Sequence, residues 1–396
     1  MIIDLVAGTR PEVVKLAPVY RALSRIRGVR VRWVATGQHG HLADQALDVF
    51  GIEPDARLDL DWDRSSLASL TARLMDALGE RFRRDMPDYV IVQGDTATAF
   101  AAAQAAFLLR IPVGHVEAGL RSGDVDSPFP EEGFRQLIAR IAQDHFAPTP
   151  AGARNLRREG IDPNSIRVTG NTVVDAVTEI GRTVTRPDVL DGVAPDARIA
   201  LVTVHRRENW DGGAVRICKA ILRLRDLFPD LHFIIATHTN PRVLGPVTEA
   251  LSGQERITLS EPLAYPDFIG VLKAAHIVLS DSGGVQEEAP SFGVPVLVLR
   301  NATERAEAVK AGVARLVGSS TDRIVREASR LLSSPRRHAR MAVAKSPFGD
   351  GHAGERIARI ITASMAQAGP ARTAPQGEHK PVRTSRDGVL TNVNAA

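Results

Sequence analysis

The sequence contains little cysteine and few aromatic residues. Cys218 is the single cysteine among 396 residues, which excludes a disulfide framework within the chain. Phenylalanine, tryptophan and tyrosine make up only 5% of the residues, too few for the stacking platforms that bind single-stranded nucleic acid. Because the arginines are spread along helical patterns, we expect no nucleic-acid partner despite a net charge of +4.

Long apolar runs and targeting signals are also missing. No apolar run reaches the ~18 residues that a membrane span requires, and the opening residues MIIDLVA lack the basic start of a signal peptide. We therefore expect a soluble, cytoplasmic protein without a membrane partner. No G-x-G-x-x-G follows the first apolar run, and no residue cluster has the spacing of a metal site. We expect neither a cofactor nor a metal.

Apolar, β-rich runs alternate with helical patterns along the chain. Six such runs precede residue 185 and six follow it, and their continuous apolar character is typical of strands covered on both faces. A chain of this length is also too long for one ordinary core. The sequence therefore predicts an α/β protein of the GT-B-like kind, with two doubly wound, Rossmann-like domains facing a central cleft.

Composition suggests where these domains begin and end. The Pro- and Asp-rich stretch TRPDVLDGVAPD (185–196) has the character of a linker, so we expect domains at 1–184 and 185–367. We expect the last helix, at about 351–367, to pack back on the first domain. Periodicity is lost from residue 368 onward, which predicts a disordered tail at 368–396.

Polar residues and glycines follow nearly every predicted strand. Parallel sheets of this kind bind ligands at the carboxyl ends of their strands, and a purely structural edge would need only glycines and helix caps. The predicted strand ends instead carry carboxylates, histidines and arginines as well, in Gly8-Thr9-Arg10, Gly37-Gln38-His39, Gly94-Asp95-Thr96, Glu117-Ala118-Gly119, His205-Arg206, His238 and Asp281-Ser282-Gly283-Gly284. This convergence predicts a functional site in the cleft.

The stretch GTRPEVVK (8–15) permits two interpretations. In the simpler one, Gly8 turns the chain, Thr9 caps a helix and Pro11 opens it. In the other, the same helix N-terminus also binds an anion, with Arg10 and Lys15 adding positive charge. The stretch SDSGGVQEEAP (280–290) has the same ambiguity, because its Gly-Gly helix start suits a diphosphate while Ser282 also suits a plain cap.

A series of short motifs links these stretches in one order along the chain. The motifs are GTRPE, TGQH, QGDT, HVEAGLRSGD, VTGNTVVDA, HRREN and DSGGVQEEAP. Together they resemble those of the non-hydrolysing UDP-N-acetylglucosamine 2-epimerases, from about residue 1 to residue 363. The resemblance implies UDP in the interdomain cleft and interconversion of UDP-GlcNAc and UDP-ManNAc for bacterial surface polysaccharides. It further implies elimination of UDP across C1–C2, re-addition after inversion, and a homodimer.

The resemblance also assigns roles to residues at matching positions. The implied catalytic residues are Asp95, Glu117, Glu131 and His205. At the diphosphate, the resemblance implies Arg10 and Lys15 together with the backbone amides of Ser282, Gly283 and Gly284. It further implies Arg135 at the sugar or at a carboxylate, Glu288 at the ribose and Phe268 at the uracil. Taken singly, Asp95 also fits an Asx-turn, and Glu117 also fits a strand-end acid paired with Arg121.

Some residues depart from the family pattern. Phe134 stands where the family has asparagine, which exchanges an amide near the sugar for an aromatic ring, and Asn301 and Ala306 also differ. Gly40 and His41 occupy the segment that, in bacterial relatives, carries polar residues of an activating UDP-GlcNAc site. A modified UDP-2-acetamido sugar therefore stays open as the substrate, and we expect the activating site to be weak or absent.

Three other functions remain as alternatives. A GT-B glycosyltransferase would need an acceptor cleft and would not need the three matched carboxylates. A hydrolysing, UDP-releasing epimerase usually lacks the Pro-Glu of GTRPE, which is present here. A non-catalytic UDP-sugar-binding protein would be expected to have lost the carboxylates, and this chain retains them.

Overall fold

The computed structural model describes residues 1–38, 40–58, 60, 66–210, 212–237, 240–343 and 345–368. Our expectations for His39, His238 and the tail beyond Ala368 lie outside the described residues. No helix in the described part of the chain combines the length and the apolar character needed to cross a membrane.

Two parallel sheets form the framework, which confirms the predicted fold class. The first sheet consists of β1 (Ile2–Ala7), β2 (Arg30–Ala35), β3 (Ala56–Arg57), β4 (Tyr89–Gln93), β5 (Val113–Val116), β6 (Asp144–Ala147) and β7 (Ile166–Val168), in the spatial order 3-2-1-4-5-6-7. The second consists of β8 (Arg198–Thr203), β9 (Leu231–Ala236), β10 (Ile257–Ser260), β11 (Ile277–Ser280), β12 (Val296–Val298) and β13 (Ala314–Leu316), in the order 10-9-8-11-12-13. We call the two sheets with their helices the first and second halves.

Helices cover both faces of each sheet. Those of the first half are α1 (Arg10–Ser24), α2 (His41–Phe50), α3 (Leu67–Arg84), α4 (Ala97–Leu108), α5 (Glu131–Ile141), α6 (Pro150–Arg158) and α7 (Thr172–Thr183). Those that follow are α8 (Gly213–Leu227), α9 (Pro241–Leu251), α10 (Tyr265–Ala274), α11 (Gly283–Glu288), α12 (Ala306–Ala311), α13 (Thr321–Leu332), α14 (Pro335–Ala342) and α15 (Ala353–Ala368).

The first sheet has one strand more than the sequence predicted. The additional strand, β3, is only two residues long and lies in the polar stretch EPDARLD. It pairs with β2, where Val34 and Ala35 lie opposite Ala56 and Arg57. Because it has no apolar run of its own, hydrophobic patterning could not reveal it.

Both sheets reverse their strand order at an equivalent place. In the first half the reversal lies between β1 and β4, and in the second between β8 and β11. A crevice opens at such a switch point, outside the carboxyl ends of the strands. The segments that begin at Gly8, Gly94, Val204 and Asp281 follow these four strands, so the topology brings their side chains to the same region.

The two halves share apolar packing. The buried cluster that contains Leu5 of β1 also contains Val177 of α7 and Leu201 of β8. Helix α7 contacts α1 and α15 as well as α10 and α11. Helix α15 packs against α1, where Gly354 lies so close to Pro18 that an added Cβ would be 2.8 Å from its backbone. The last described helix therefore belongs to the surface of the first half.

Candidate active site

A cavity of about 620 Å³ lies between the carboxyl ends of the two sheets. Its walls contain all twelve residues to which the family resemblance assigned a role: Arg10, Lys15, Asp95, Glu117, Glu131, Arg135, His205, Phe268, Ser282, Gly283, Gly284 and Glu288. These residues come from both halves, so the cavity exists only where the halves meet. A volume of this size suits a small-molecule ligand.

The loop after β1 is fixed by a buried carboxylate. Thr9 caps α1, as predicted, and Glu12 completes a capping box by accepting hydrogen bonds from the N–H groups of Gly8 (2.9 Å) and Thr9 (2.8 Å). Thr96 donates to the other Glu12 oxygen at 2.5 Å. Burial raises the pKa of Glu12 to about 7. The segments that carry Arg10 and Asp95 are therefore joined through Glu12. The Thr-x-x-Glu spacing was a usable signal for the capping box but not for the contact with Thr96.

Lys15 occupies the centre of a buried group of charges. Its Nζ lies 2.5 Å from Glu117 Oε1 and 3.1 Å from Glu287 Oε2, and Glu287 Oε1 accepts a hydrogen bond from Arg305 Nε at 2.7 Å. The sequence predicted Lys15 only as a cation facing a diphosphate. The structure gives its ammonium two carboxylate partners, and it adds Arg305, to which we had assigned no role, to the cavity wall.

Glu117 is held in an unusual backbone conformation. Its φ of 67° lies in the left-handed region that non-glycine residues seldom adopt, and such strain is concentrated at functional sites. Its carboxylate also accepts a hydrogen bond from Gln93. Burial raises the pKa of Glu117, while the nearby Lys15 ammonium opposes that rise. The alternative pairing with Arg121 is wrong, because Arg121 contacts Glu159 at 2.6 Å instead.

Of the other two predicted catalytic carboxylates, Asp95 lies two residues before α4 and Glu131 is the first residue of α5. Arg135 forms an ion pair with Asp95, and its second terminal nitrogen lies 3.2 Å from Glu132. Glu131 lines the cavity, and its buried Oε2 has no hydrogen-bond partner among the described residues. An unpaired buried carboxylate oxygen is costly unless a ligand or water completes it. Glu131 is therefore positioned to interact with whatever fills the cavity.

A fully buried aspartate organises the second half of the site. The Asp281 carboxylate accepts hydrogen bonds from the N–H groups of His205 (2.9 Å) and Arg206 (3.0 Å) and from Asn209 Nδ2 (2.9 Å). These bonds hold the loop after β8 beside the start of α11. The sequence placed Asp281 at a strand end without predicting this function, which depends on a contact across the sheet.

The start of α11 and the adjacent α10 form the remaining wall. Ser282 is the N-terminal cap residue of α11, although its side chain makes no cap hydrogen bond. Arg305 lies beside Gly283, with its Cζ 3.5 Å from where a Cβ would stand, which is an ordinary contact distance. The hydroxyl of Tyr265 donates to Glu288 Oε1 at 3.0 Å, and burial raises the pKa of Glu288 to about 7. Tyr265 is a cavity residue that the sequence analysis did not identify.

An aromatic pair stands beside Arg135. The rings of Phe134 and Phe100 stack with centroids 4.8 Å apart and planes 6° from parallel. Phe134 lines the cavity, whereas Phe100 supports it from α4. The residue that departs from the family pattern therefore forms an apolar part of the wall near Asp95 and Glu131.

The described residues contain no group of three or more histidine, cysteine, aspartate or glutamate side chains that could hold a metal ion. Cationic side chains and helix N-terminal N–H groups are instead the groups available to an anionic ligand. Arg10 and Arg305 contribute from opposite halves. The cavity thus combines cations suited to phosphate with carboxylates suited to proton transfer.

Comparison with known proteins agrees with this combination. The sequence model of the family described as UDP-N-acetylglucosamine 2-epimerase matches residues 21–362. The UDP-N-acetylglucosamine 2-epimerase of Bacillus subtilis is 44% identical over 352 residues, covering 89% of this chain and 92% of the relative. That of Yersinia pestis is 42% identical over 364 residues, covering 90% and 97%.

A solved structure gives the same result at the level of the fold. The crystal structure of the UDP-GlcNAc 2-epimerase from Neisseria meningitidis, bound to UDP-GlcNAc, superposes with a TM-score of 0.85 at 40% identity. The match covers 92% of this chain and 100% of that one. With two parallel sheets in the same arrangement and this degree of identity over nearly the whole length, the chain belongs to the UDP-N-acetylglucosamine 2-epimerase family.

Proposed function

We propose that the protein is a non-hydrolysing 2-epimerase that interconverts UDP-GlcNAc and UDP-ManNAc by elimination and re-addition of UDP. The observation that carries this proposal is the presence of Asp95, Glu117 and Glu131 in one cavity with the cations and the glycine-rich helix start. A modified UDP-2-acetamido sugar is a second candidate substrate, favoured by the aromatic Phe134 in the wall.

The second half binds UDP in this proposal. The diphosphate lies at the N–H groups of Ser282, Gly283 and Gly284, with Arg10 and His205 beside it. Glu288, which is fixed by Tyr265, accepts hydrogen bonds from the ribose hydroxyls, and Phe268 packs against the uracil. The sugar then extends towards the first half, where the other carboxylates lie.

The cations make UDP a better leaving group. The C2 proton of the sugar is not acidic, so cleavage of the C1–O bond has to precede or accompany its removal. The bonding pair leaves with UDP, and positive groups stabilise the charge that develops on the diphosphate. A carboxylate takes the C2 proton, and the electrons of the C2–H bond form the C1=C2 bond of 2-acetamidoglucal.

The second step reverses the first on the opposite face. A carboxylic acid returns a proton to C2 from the other side, and UDP attacks C1 to restore the C1–O bond. Two differently placed carboxyl groups are therefore needed. Glu117 fills one of these roles, and either Glu131 or Asp95 fills the other. In the non-hydrolysing reaction both fragments stay in the cavity until they recombine, whereas the hydrolysing reaction releases UDP.

Incubation with UDP-GlcNAc in deuterium oxide tests this mechanism directly. We expect deuterium at C2 of the product, detected by NMR, because the abstracted proton exchanges with solvent. A ¹⁸O label in the C1–O–P bridge should also move to nonbridging positions of that phosphate. Product formed without C2 exchange would exclude elimination, and accumulation of free UDP would indicate the hydrolysing reaction.

UDP binding should not require a metal. Replacing Arg10 with alanine removes a charge-assisted hydrogen bond and should weaken UDP binding by ~1.5–3 kcal/mol. Calorimetry in a chelator should give undiminished affinity for the wild type. The matched control is Arg25→Ala, a change near the far end of α1 and outside the cavity walls, which should have no effect. An unchanged dissociation constant for the Arg10 variant would remove it from the site.

Activation by substrate should be weak or absent. Gly40 is the N-terminal cap residue of α2 and makes no side-chain cap, while His41 contacts Gln45 at 3.0 Å on the surface. Because Gly40 and His41 replace the polar residues that the family resemblance places in an activating UDP-GlcNAc site, turnover of UDP-ManNAc without added UDP-GlcNAc should begin without a lag. A strict requirement for added UDP-GlcNAc would contradict this expectation.

The same proposal includes a cytoplasmic homodimer whose domains are residues 1–184 and 185–367. The two sheets lie on either side of residue 185, which supports this division. Sedimentation or light scattering measures the mass directly. A monomer at working concentration would contradict the dimer without affecting the proposed reaction.

A further inference from the structure

Glu287 is buried next to the active site but does not line it. Its side chain is 1% exposed, whereas its neighbour Glu288 lies in the cavity wall. The charged groups in contact with its carboxylate are Arg305 at 2.7 Å and Lys15 at 3.1 Å. The reaction proposed above gives Glu287 no direct task, so its burial with two cations calls for another explanation.

The contacts of Glu287 continue across the boundary between the halves. Arg305 and Glu287 belong to the second half, whereas Lys15 lies on α1 and Glu117 follows β5 in the first half. The four side chains form a row, Arg305–Glu287–Lys15–Glu117, with two positive and two negative charges. Because all four are largely buried, their mutual interactions are stronger than those of surface ion pairs.

Lys15 is shared between two carboxylates of this row. Were Glu287 uncharged, Glu117 would be the one charged carboxylate bound to the ammonium, and it would be a weaker base. The charged Glu287 also binds the ammonium, and its negative charge repels that of Glu117. Both effects favour the uptake of a proton by Glu117, as a base needs.

We propose that Glu287 is a positioning residue that acts on Glu117 through Lys15, so that the base is correctly placed and tuned only where the two halves meet. This inference rests on the proposed function, because it takes Glu117 as the group that exchanges a proton with C2. Glu287 contacts neither the cavity nor Glu117 itself, and for that reason it is not a catalytic residue.

Few charged groups other than Glu287 act on the proton affinity of Glu117. Lys15 reaches it from α1, and Glu287 and Arg305 act on it from the second half. The amides of Gln93, at the end of β4, and Asn171, before α7, are neutral donors to its two oxygens. Burial raises the pKa of Glu117, Lys15 lowers it, Glu287 raises it and Arg305 lowers it.

The variant Glu287→Gln tests the inference, because glutamine keeps the shape and removes the charge. We expect kcat for UDP-GlcNAc epimerisation to fall at least about tenfold, as expected for a misplaced catalytic group. The acid limb of the kcat/KM profile should move to lower pH by about one unit or more, since loss of a nearby negative charge lowers the pKa of Glu117. UDP affinity should change less than threefold, because the cavity contacts remain.

Two further variants separate positioning from simple loss of a buried charge. Glu287→Asp keeps the charge on a shorter side chain and should restore the wild-type pH profile at least in part. Glu327→Gln removes another buried carboxylate of the second half, one held by Arg315, Arg326 and Arg330 outside the cavity walls. That variant should be less stable but should keep the wild-type profile.

The outcomes distinguish the two levels of proposal. A Glu287→Gln enzyme that retains the wild-type pH profile, or that loses only stability or UDP affinity, overturns the inference and leaves the proposed function intact. The same holds if Glu287→Asp behaves as the glutamine variant does. A wild-type protein that leaves UDP-GlcNAc unchanged overturns the proposed function, and this inference with it.

Discussion

Replacing Glu117 with glutamine is expected to lower kcat for UDP-GlcNAc epimerisation by ~10²–10⁴, the usual range for loss of general acid–base catalysis. Glutamine preserves the shape and most hydrogen bonds around Gln93 and Lys15 but cannot take the C2 proton. Asp95→Asn should have an effect of the same order. Steady-state kinetics on both sugar epimers, together with the rate of deuterium entry at C2, measures the loss.

The control for these variants is Glu159→Gln. Glu159 lies in the same half and pairs with Arg121, but it does not line the cavity. Its replacement should leave kcat unchanged. UDP affinity should change little in all three variants, because the cations and the α11 N-terminus remain in place. Near-normal turnover by both the Glu117 and Asp95 variants would reduce these carboxylates to structural roles.

Replacing Lys15 with methionine should have a large effect on stability. The change leaves Glu117 without its buried cation and close to Glu287, although Arg305 still pairs with the latter. Removing one partner from a buried ion pair costs about 3–5 kcal/mol. We expect a loss of this size in the free energy of unfolding, measured with urea at pH 7, and loss of activity.

The loss in the Lys15→Met variant should depend on pH in a definite direction. Burial already raises the pKa of Glu117, and without Lys15 that pKa rises further. A carboxyl group whose folded-state pKa exceeds its unfolded value binds its proton more tightly in the folded protein. The deficit relative to wild type should therefore shrink as the pH falls through the folded-state pKa.

The surface variant Lys273→Met provides the comparison. Lys273 lies on an exposed position of α10 and donates to the Gly181 carbonyl oxygen at 2.6 Å. Its loss removes one hydrogen bond but leaves no buried carboxylate, so the cost should be smaller and nearly independent of pH. A Lys15→Met deficit that is the same at every pH would show that buried carboxylate repulsion is not its cause.

The sequence predicted the location of the cavity because that location follows from chain topology. Continuous apolar runs identified parallel strands, and the carboxyl ends of such strands meet at one edge of each sheet. The polar and glycine residues after β1, β4, β8 and β11 were visible as short motifs. Local capping was equally accessible, since Thr9 and Glu12 are only three residues apart.

Contacts between distant segments could not be predicted in the same way. Lys15 and Glu117 are separated by 102 residues, and Glu287 belongs to the other half. Their pairing depends on how the two halves dock, which no local pattern encodes. The same reason hid Asp281, whose carboxylate reaches across from β11 to the loop after β8, and Tyr265, whose hydroxyl fixes Glu288.

The packing of α15 on α1 has a consequence for the order in which the protein is made. Ribosomes release the N-terminal half first, and domains commonly begin to fold as they emerge. The apolar face that receives Ile357, Ala358 and Ile361 stays uncovered until α15, the last helix of the described residues, has been synthesised. The nascent first half therefore exposes this apolar surface throughout translation of the second half, and a chain terminated before residue 353 would leave the surface uncovered.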